Sequence, residues 1–417
     1  MDMASKFLQP MYYFVFWYPL TMSMFWIVGG LLFYSTKEKT ELPPLEETPL
    51  VSILVPCFNE EDTIEETINH LEKLNYPCYE VIAINDGSRD QTEEKLKSLS
   101  LISQKLRIIN LKKNEGKANA LYLGLIASRG EILVGIDADA ILDKDALKYM
   151  VPHFTSPSFG ERVGAVTGNP RIRNRSSLLA RVQVCEFSSI IGLIKRSQRI
   201  LGKVMTVSGV IAAFRKSALI DCGLWDRNII TEDIGITWKL QKRFWDVRYE
   251  PRAICWMLVP ETIKGFWNQR VRWAQGGVEA LLRHGDVFLD WRQRRLVPVF
   301  MEQVFSILWS ISWLTTTIIL IYQILTKGDI FYPIFWSGTY LSLLCIIQFF
   351  VAMFIDRRYD DGIMKYYLWA IWYPTFYWYF NALVVIWAIP KALLSRNSEG
   401  FARWESPDRG LGVRHAD

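Results

Sequence analysis

Val51-Ser-Ile-Leu-Val55 and Val81-Ile-Ala-Ile84 decide the fold. Each is a short apolar run followed by turn formers: Pro56 closes the first, Asn85-Asp86-Gly87 the second. Runs of this length with such flanks read as buried strands. An acidic helix start at Asn59–Glu66 lies between them, and residues 106–111 and 131–136 supply two more strands separated by helical stretches. Strands alternating with helices predict a Rossmann-like α/β layer with a parallel sheet, whose ligands sit beyond the carboxyl ends of the strands. Asp86 and the Asp137-Ala-Asp139 pair lie at such ends.

Outward from this core the pattern turns to membrane. Residues 11–34 are almost uninterruptedly apolar and aromatic, long enough to cross a hydrocarbon core of about 30 Å. They lack the short apolar core and small-residue cleavage site of a signal peptide, so they read as a retained span. A polar, Pro-rich linker follows at 36–49. Residues 297–325, 331–355 and 366–389 are each long enough to span. Arg292, Arg294 and Arg295 stand before the first of these, which predicts a cytoplasmic border there and a cytoplasmic soluble part. The expected division is an amino-terminal span and linker over 1–45, a cytoplasmic α/β domain with interfacial helices over 46–290, and a membrane region with tail over 291–417. An odd number of later spans would put the tail outside, yet Lys391, Arg396, Arg403, Arg409 and Arg414 favour a cytoplasmic end. Pro374 resolves the conflict if it breaks the 366–389 segment or makes it re-entrant, returning the tail.

Composition fits this picture. An apolar fraction of 50% in 417 residues is too low for a chain embedded throughout the bilayer, and a net charge of +5 with no nucleic-acid motif suits an anionic lipid surface. The six cysteines form no C-x-x-C pair, which argues against a zinc site or disulfide framework and fits reduced thiols. The four histidines are isolated, and a lone histidine is usually structural.

The chemistry lies in acids. Asp86 in N-D-G-S is either a turn residue bonding its own backbone or a contact to a nucleotide. Asp137 and Asp139 are two apart, so at an extended strand end they point to one side, where a divalent cation and a diphosphate would relieve their repulsion. The alternative is a helix cap, a role that Asp143 and Asp145 suit better. Asn114-Glu-Gly-Lys117 lacks the early Gly and the trailing Ser or Thr of an ATPase loop, but Lys117 can offer a point charge to a diphosphate. Thr231-Glu232-Asp233 reads as a helix start whose acids can cap it, or take a proton from an attacking hydroxyl. Gln269, Arg272 and Trp273, spaced i, i+3, i+4, share one helix face.

This ordered set, with Gly168-Asn-Pro-Arg-Ile-Arg173, Ser188-Ser-Ile-Ile-Gly-Leu-Ile-Lys195, Val207-Ser-Gly-Val-Ile-Ala-Ala213 and Ser406-Pro-Asp-Arg409, resembles the family 2 glycosyltransferases. Among them it is most similar to the bacterial poly-β-1,6-N-acetylglucosamine synthases of biofilm polysaccharide, from about Phe16 to Arg409. The resemblance implies a GT-A fold, UDP-N-acetylglucosamine as donor, Mg²⁺ or Mn²⁺ as cofactor, inversion at the anomeric carbon, and processive polymerisation with export. Carried over by position, Asp233 is the base, Asp86 contacts the nucleotide, and Pro56, Asn59 and Glu60 lie near uridine. Asp137 and Asp139 hold the metal–diphosphate end, with Asp139 on the metal. Gln269, Arg272 and Trp273 secure diphosphate and acceptor, and Glu232 supports them. Arg171 to Arg175 and the helix after Ser176 would lie at the membrane face. The family also implies a small membrane partner subunit and, in some members, cyclic di-GMP stimulation. The competing readings are a chitin or hyaluronan synthase on the same fold, and an inactive membrane scaffold or export subunit.

Overall fold

The structure is a computed structural model that describes residues 3–40, 45, 47–327 and 332–395. After helix α1 (Met3–Phe33) and one wider turn (Tyr34–Glu38), strands and helices alternate. In order come β1 (Val51–Cys57), α2 (Ile64–Leu71), β2 (Tyr79–Asn85), α3 (Thr92–Ile102), β3 (Leu106–Asn110), α4 (Lys117–Ala127), β4 (Ile132–Ile136) and β5 (Ile141–Leu142). Short helices α5 (Ala146–Met150) and α6 (Pro152–Thr155) lead into β6 (Val163–Ile172). Then α7 (Leu178–Glu186) continues through a π-helical stretch (Phe187–Leu193) into α8 (Ile194–Ile200). The domain closes with β7 (Ile211–Arg215), α9 (Lys216–Asp221), α10 (Glu232–Lys242), β8 (Asp246–Met257) and α11 (Ile263–His284). Helices α12 (Val297–Lys327), α13 (Tyr332–Asp356) and α14 (Tyr373–Ser395) follow.

Among the described residues eight strands form one sheet in the order β3-β2-β1-β4-β7-β6-β8-β5. The four foreseen strands are the parallel half. Beyond β4 the sheet is mixed: β7 runs antiparallel to β4 and β6, while β6 and β8 pair in parallel. Period-two alternation explains why β1 reads as one apolar run. Ile53 and Val55 pack with Ile64 and Ile68 of α2 on one face, and Leu54 packs with Leu121 and Leu125 of α4 on the other. The polar exception, Ser52, is satisfied: it donates to Glu80 at 2.7 Å and accepts the Gly130 N–H at 2.9 Å. Pro56 does not stop the strand, which continues to Cys57 with Pro56 opposite Ile84. Helix α2 then starts only at Ile64, because Asn59 turns the chain with φ 55°. Asp145 sits at the N-cap of α5 without a capping bond; Asp143 stabilises that start by accepting the Asp145 N–H at 2.9 Å.

Among the described residues, four helices are long and apolar enough to cross a membrane: Gln9–Glu38, Val297–Thr326, Gly338–Asp356 and Phe376–Ser395. The first three match the sequence expectation. The fourth does not run from 366 to 389. Ile363–Ala370 is a tighter 3-10 helix, the chain turns at 371 and 372, and Pro374 is the second residue of α14. In the first helical turn a missing N–H costs nothing, so Pro374 starts a helix instead of kinking one. Both ends of α14 touch the domain: the Tyr373 hydroxyl donates to Glu186 at 2.9 Å and the Ser395 hydroxyl to Glu279 at 2.6 Å. Arg396, Arg403, Arg409 and Arg414, and the Ser406-to-Arg409 motif, lie outside the described residues.

The expected linker is also more than a linker. Glu38 is buried against Arg196 of α8 at 2.9 Å, Arg196 meets Asp356 at 2.8 Å, and Asp356 meets Arg171 at 2.6 Å. Arg175 closes the chain on Asp360 at 2.5 Å. This network joins the ends of α1 and α13 to β6 and α8. Arg171 to Arg175 thus stand where the α/β domain meets the long apolar helices.

Candidate active site

A cavity of about 1170 Å³ opens between the sheet and the apolar helices. Asp137, Asp139, Lys117, Glu232, Asp233, Gln269, Arg272 and Trp273 all line it. Pro56, Asn59, Glu60 and Asp86 lie at the ends of β1 and β2, outside its lining. There they bind one another's loops: Asn59 N–H donates to Ser88 at 3.0 Å, and Glu60 N–H to Thr92 at 2.7 Å.

Asp86 is fully buried, and the N–H groups of Glu115 and Gly116 donate to its two oxygens at 2.9 and 2.8 Å. Burial pushes its carboxyl pKa up against those two bonds. Gly87 beside it has φ +70°, and a Cβ there would fall 2.6 Å from the Lys113 carbonyl carbon. The N-D-G-S turn therefore clamps the 113–116 loop and so places Lys117, the first residue of α4.

Lys117 joins the acidic motifs. Its ammonium donates to Asp137 Oδ1 at 2.6 Å and to the Gly209 carbonyl at 3.2 Å, and lies 3.0 Å from Glu232 Oε1. Burial opposes its charge, but the Asp137 and Glu232 carboxylates outweigh that and hold its pKa above the ordinary lysine value. Asp137 and Asp139 reach the cavity through a turn, not through strand alternation: β4 ends at Ile136, and the Ala140 N–H donates to the Asp137 carbonyl at 3.1 Å.

Asp233 is the second residue of α10, whose N-cap Thr231 makes no capping bond. Its Oδ1 accepts the Ile234 N–H at 2.9 Å. Burial first, then the neighbouring Glu232 carboxylate, push its pKa up to about 6, against the pull of Lys117. A carboxylate poised near neutrality suits a general base.

On α11 the arginine beside Trp273 is Arg270. Arg270 lies 4.2 Å from the Trp273 ring centre and pairs with buried Glu186 at 3.1 Å. Arg272 makes no hydrogen bond or ion pair among the described residues, and Gln269 Oε1 has no donor there. Both are available to a ligand. Arg270, Glu186 and Lys195 carried no role in the sequence reading, although Lys195 ended one of its distinctive runs.

Among the described residues no group of three or more His, Cys, Asp or Glu gathers to cage a metal. Two hard carboxylates on one turn, both facing the cavity, fit instead a cation that takes one or two protein oxygens and fills the rest from phosphate and water. The six cysteines, all among the described residues, form no disulfide. His153 pairs with Glu250 at 2.9 Å and His284 stacks on Trp238, both structural placements.

An acidic cavity at the carboxyl edge of parallel strands, continuous with apolar helices, defines a membrane-attached transferase on a GT-A-type sheet. The model of glycosyl transferase family 2 matches residues 52–223. The poly-β-1,6-N-acetyl-D-glucosamine synthase of Staphylococcus epidermidis is 44% identical over 410 residues, covering 95% of this chain and 98% of that protein. Its counterpart from Staphylococcus aureus (strain MSSA476) is 44% identical over 416 residues, with the same coverage. A mannosyltransferase from Pyrobaculum calidifontis, solved with GDP-Man and Mn²⁺, superposes with a TM-score of 0.57 at 19% identity, covering 92% of this chain and 100% of that one. At that identity the likeness speaks for the fold. The chain belongs to glycosyl transferase family 2, within the group of poly-β-1,6-N-acetyl-D-glucosamine synthases.

Proposed function

We propose that this glycosyltransferase is a processive, inverting enzyme that transfers N-acetylglucosamine from UDP-N-acetylglucosamine to a growing β-1,6-linked chain. One observation carries the reading: a single cavity is lined both by the acids and by Ser306 and Trp309 of α12, Gln348 of α13 and Asn381 of α14. A chain lengthened at Asp233 has a continuous route among the membrane helices, with amides and aromatic faces suited to sugar.

Asp233 takes the acceptor hydroxyl's proton as that oxygen attacks the anomeric carbon and UDP departs from the opposite face. Glu232 and Lys117 fix its surroundings. Gln269 and Arg272 bind the diphosphate end, and Trp273, backed by Arg270, offers a face to the acceptor sugar. Asp139, with Asp137 beside it, would hold Mg²⁺ or Mn²⁺; such a cation, when bound, neutralises the diphosphate's charge. Asp86 acts on the nucleotide side by holding the loop before Lys117.

The catalytic part faces the cytoplasm in this reading, supported by Arg292, Arg294 and Arg295 ahead of α12 and by Arg357 and Arg358 after α13. Contacts from both ends of α14 to the domain support a tail that returns to that side. The small membrane partner subunit belongs to the same proposal through the resemblance, and co-purification with the tagged full chain tests it.

The direct test is UDP release from membranes holding the full chain. UDP should appear only when UDP-N-acetylglucosamine is supplied, and Asp233→Asn should abolish it. Equal release from both proteins contradicts the assignment of Asp233, and none from either leaves the scaffold reading in its place.

A further inference from the structure

Lys195, the second residue of α8, is buried, lines the cavity and has no ion-pair partner among the described residues. Its ammonium donates instead to Ser208 Oγ at 2.5 Å and, more weakly, to Thr167 Oγ1 at 3.4 Å. Removing an ammonium from water without a counter-ion is costly, and a methionine would fill the same space without that cost. Packing alone therefore does not account for a lysine here.

What surrounds it does. Thr167 Oγ1 accepts the Ser208 N–H at 2.8 Å, which fixes the Ser208-Gly209 backbone. A Cβ on Gly209 would lie 3.2 Å from Asp233 Oδ2 and 3.3 Å from Lys117 Nζ, so this backbone is the surface against which the acid rests. Two ammonium groups grip the dipeptide: Lys195 at the Ser208 side chain and Lys117 at the Gly209 carbonyl.

We infer that Lys195 is a positioning residue for the base, holding Ser208-Gly209 against Asp233 and keeping the Asp233 carboxylate ionised for the acceptor's proton. The inference rests on the reading of Asp233 as the base. The charged groups facing Asp233 are Glu232 on its own helix, Lys117 on α4 and Lys195 on α8; Asp137 is tied to Lys117. Glu232 strengthens proton binding at Asp233, and the two lysines weaken it. Burial brings the Lys195 pKa down to about 7, so it still carries charge where Asp233 ionises.

The sign follows. Without the Lys195 charge Asp233 binds its proton more tightly, and the acid limb of the rate moves to higher pH. The test is the pH profile of UDP release by the full chain in membranes, for the parent, Lys195→Gln and Lys195→Arg. Gln keeps a donor for Ser208 and removes the charge, whereas Arg keeps the charge. Lys195→Gln should shift the acid limb up by about one unit, a deficit of roughly tenfold near pH 5.5 that shrinks toward pH 8. Lys195→Arg should restore the parent's limb. A deficit equal at every pH, with the limb in place, overturns the inference and leaves a structural role. If Lys195→Gln does not accumulate, Ser208→Ala removes the anchor and keeps the lysine. A smaller shift in the same direction supports the inference, and an unmoved limb overturns it. Asp233→Asn separates the failures: if it is active, the base reading falls; if it is dead while the Lys195→Gln limb stays put, only this inference falls.

Discussion

Asp233 gathers the account at the scale of single residues. Its carboxyl pKa is raised to about 6, chiefly by burial and Glu232. The base form dominates above that value, so polymerisation should fall as pH drops through about 6, read as the acid limb of kcat. For stability the sign is opposite. A carboxyl whose folded pKa lies above its unfolded value disfavours the fold above the unfolded pKa and does so less as pH falls toward it. Asp233→Asn should therefore melt no lower than the parent at neutral pH and bind UDP-N-acetylglucosamine, yet polymerise roughly 10²–10⁴-fold more slowly. Glu232→Gln should cost less, since Glu232 pairs with Lys117 at 3.0 Å and does not carry the proton. Asp139→Asn should weaken donor and metal use together, measured as the Mn²⁺ or Mg²⁺ concentration needed for half-maximal rate. An unchanged requirement would remove Asp139 from the metal. The residue types were readable before the fold because Asp86 and Asp137 follow apolar runs, at the strand ends where a parallel sheet binds its ligands. Their partners were not. Lys117 meets Glu232 across more than a hundred residues of chain, and Arg270 takes the place beside Trp273 because buried Glu186 draws it there.

At the scale of elements, what the sequence could say depended on burial. Strands β1, β2 and β4 are buried on both faces and so appear as plain apolar runs, whereas β3, at the edge of the sheet, is only partly buried. Strand β8 was missed because Asp246, Arg248 and Arg252 interrupt its apolar pattern; Asp246 is satisfied by Arg199 at 2.8 Å and Arg252 by Glu250 at 2.7 Å. Helix α14 was misplaced because hydropathy ignores the 3-10 turn before Tyr373. The ion network at the membrane junction was invisible too, since Glu38, Arg171, Arg196 and Asp356 come from four distant segments. Breaking that network should be severe. Arg196→Met leaves Glu38 and Asp356 buried with one partner fewer, a loss of about 3–5 kcal/mol by analogy with other buried pairs. A thermal melt of the detergent-solubilised chain should show it, and an unchanged melting temperature would mean that α1 and α13 are held to the domain by apolar contacts alone.

At the scale of the whole molecule, the domain and the long apolar helices share one cavity, which in the proposed reading joins synthesis to passage. Trp309 Nε1 donates to the Val15 carbonyl at 2.9 Å, and Trp26 Nε1 to Glu302 at 3.0 Å, so α1 and α12 form one wall together. A bulky Ser306→Trp on that wall should leave donor binding intact and shorten the product, read by size-exclusion of the released polymer. Product of parent length would mean that the chain leaves by another path. The identity of the polymer is the central claim, since donor, linkage and group all meet there. Membranes holding the full chain, supplied with UDP-N-acetylglucosamine, should yield a product degraded by a β-1,6-specific hexosaminidase and resistant to chitinase and hyaluronidase. A product that resists the hexosaminidase and yields to chitinase would contradict the account.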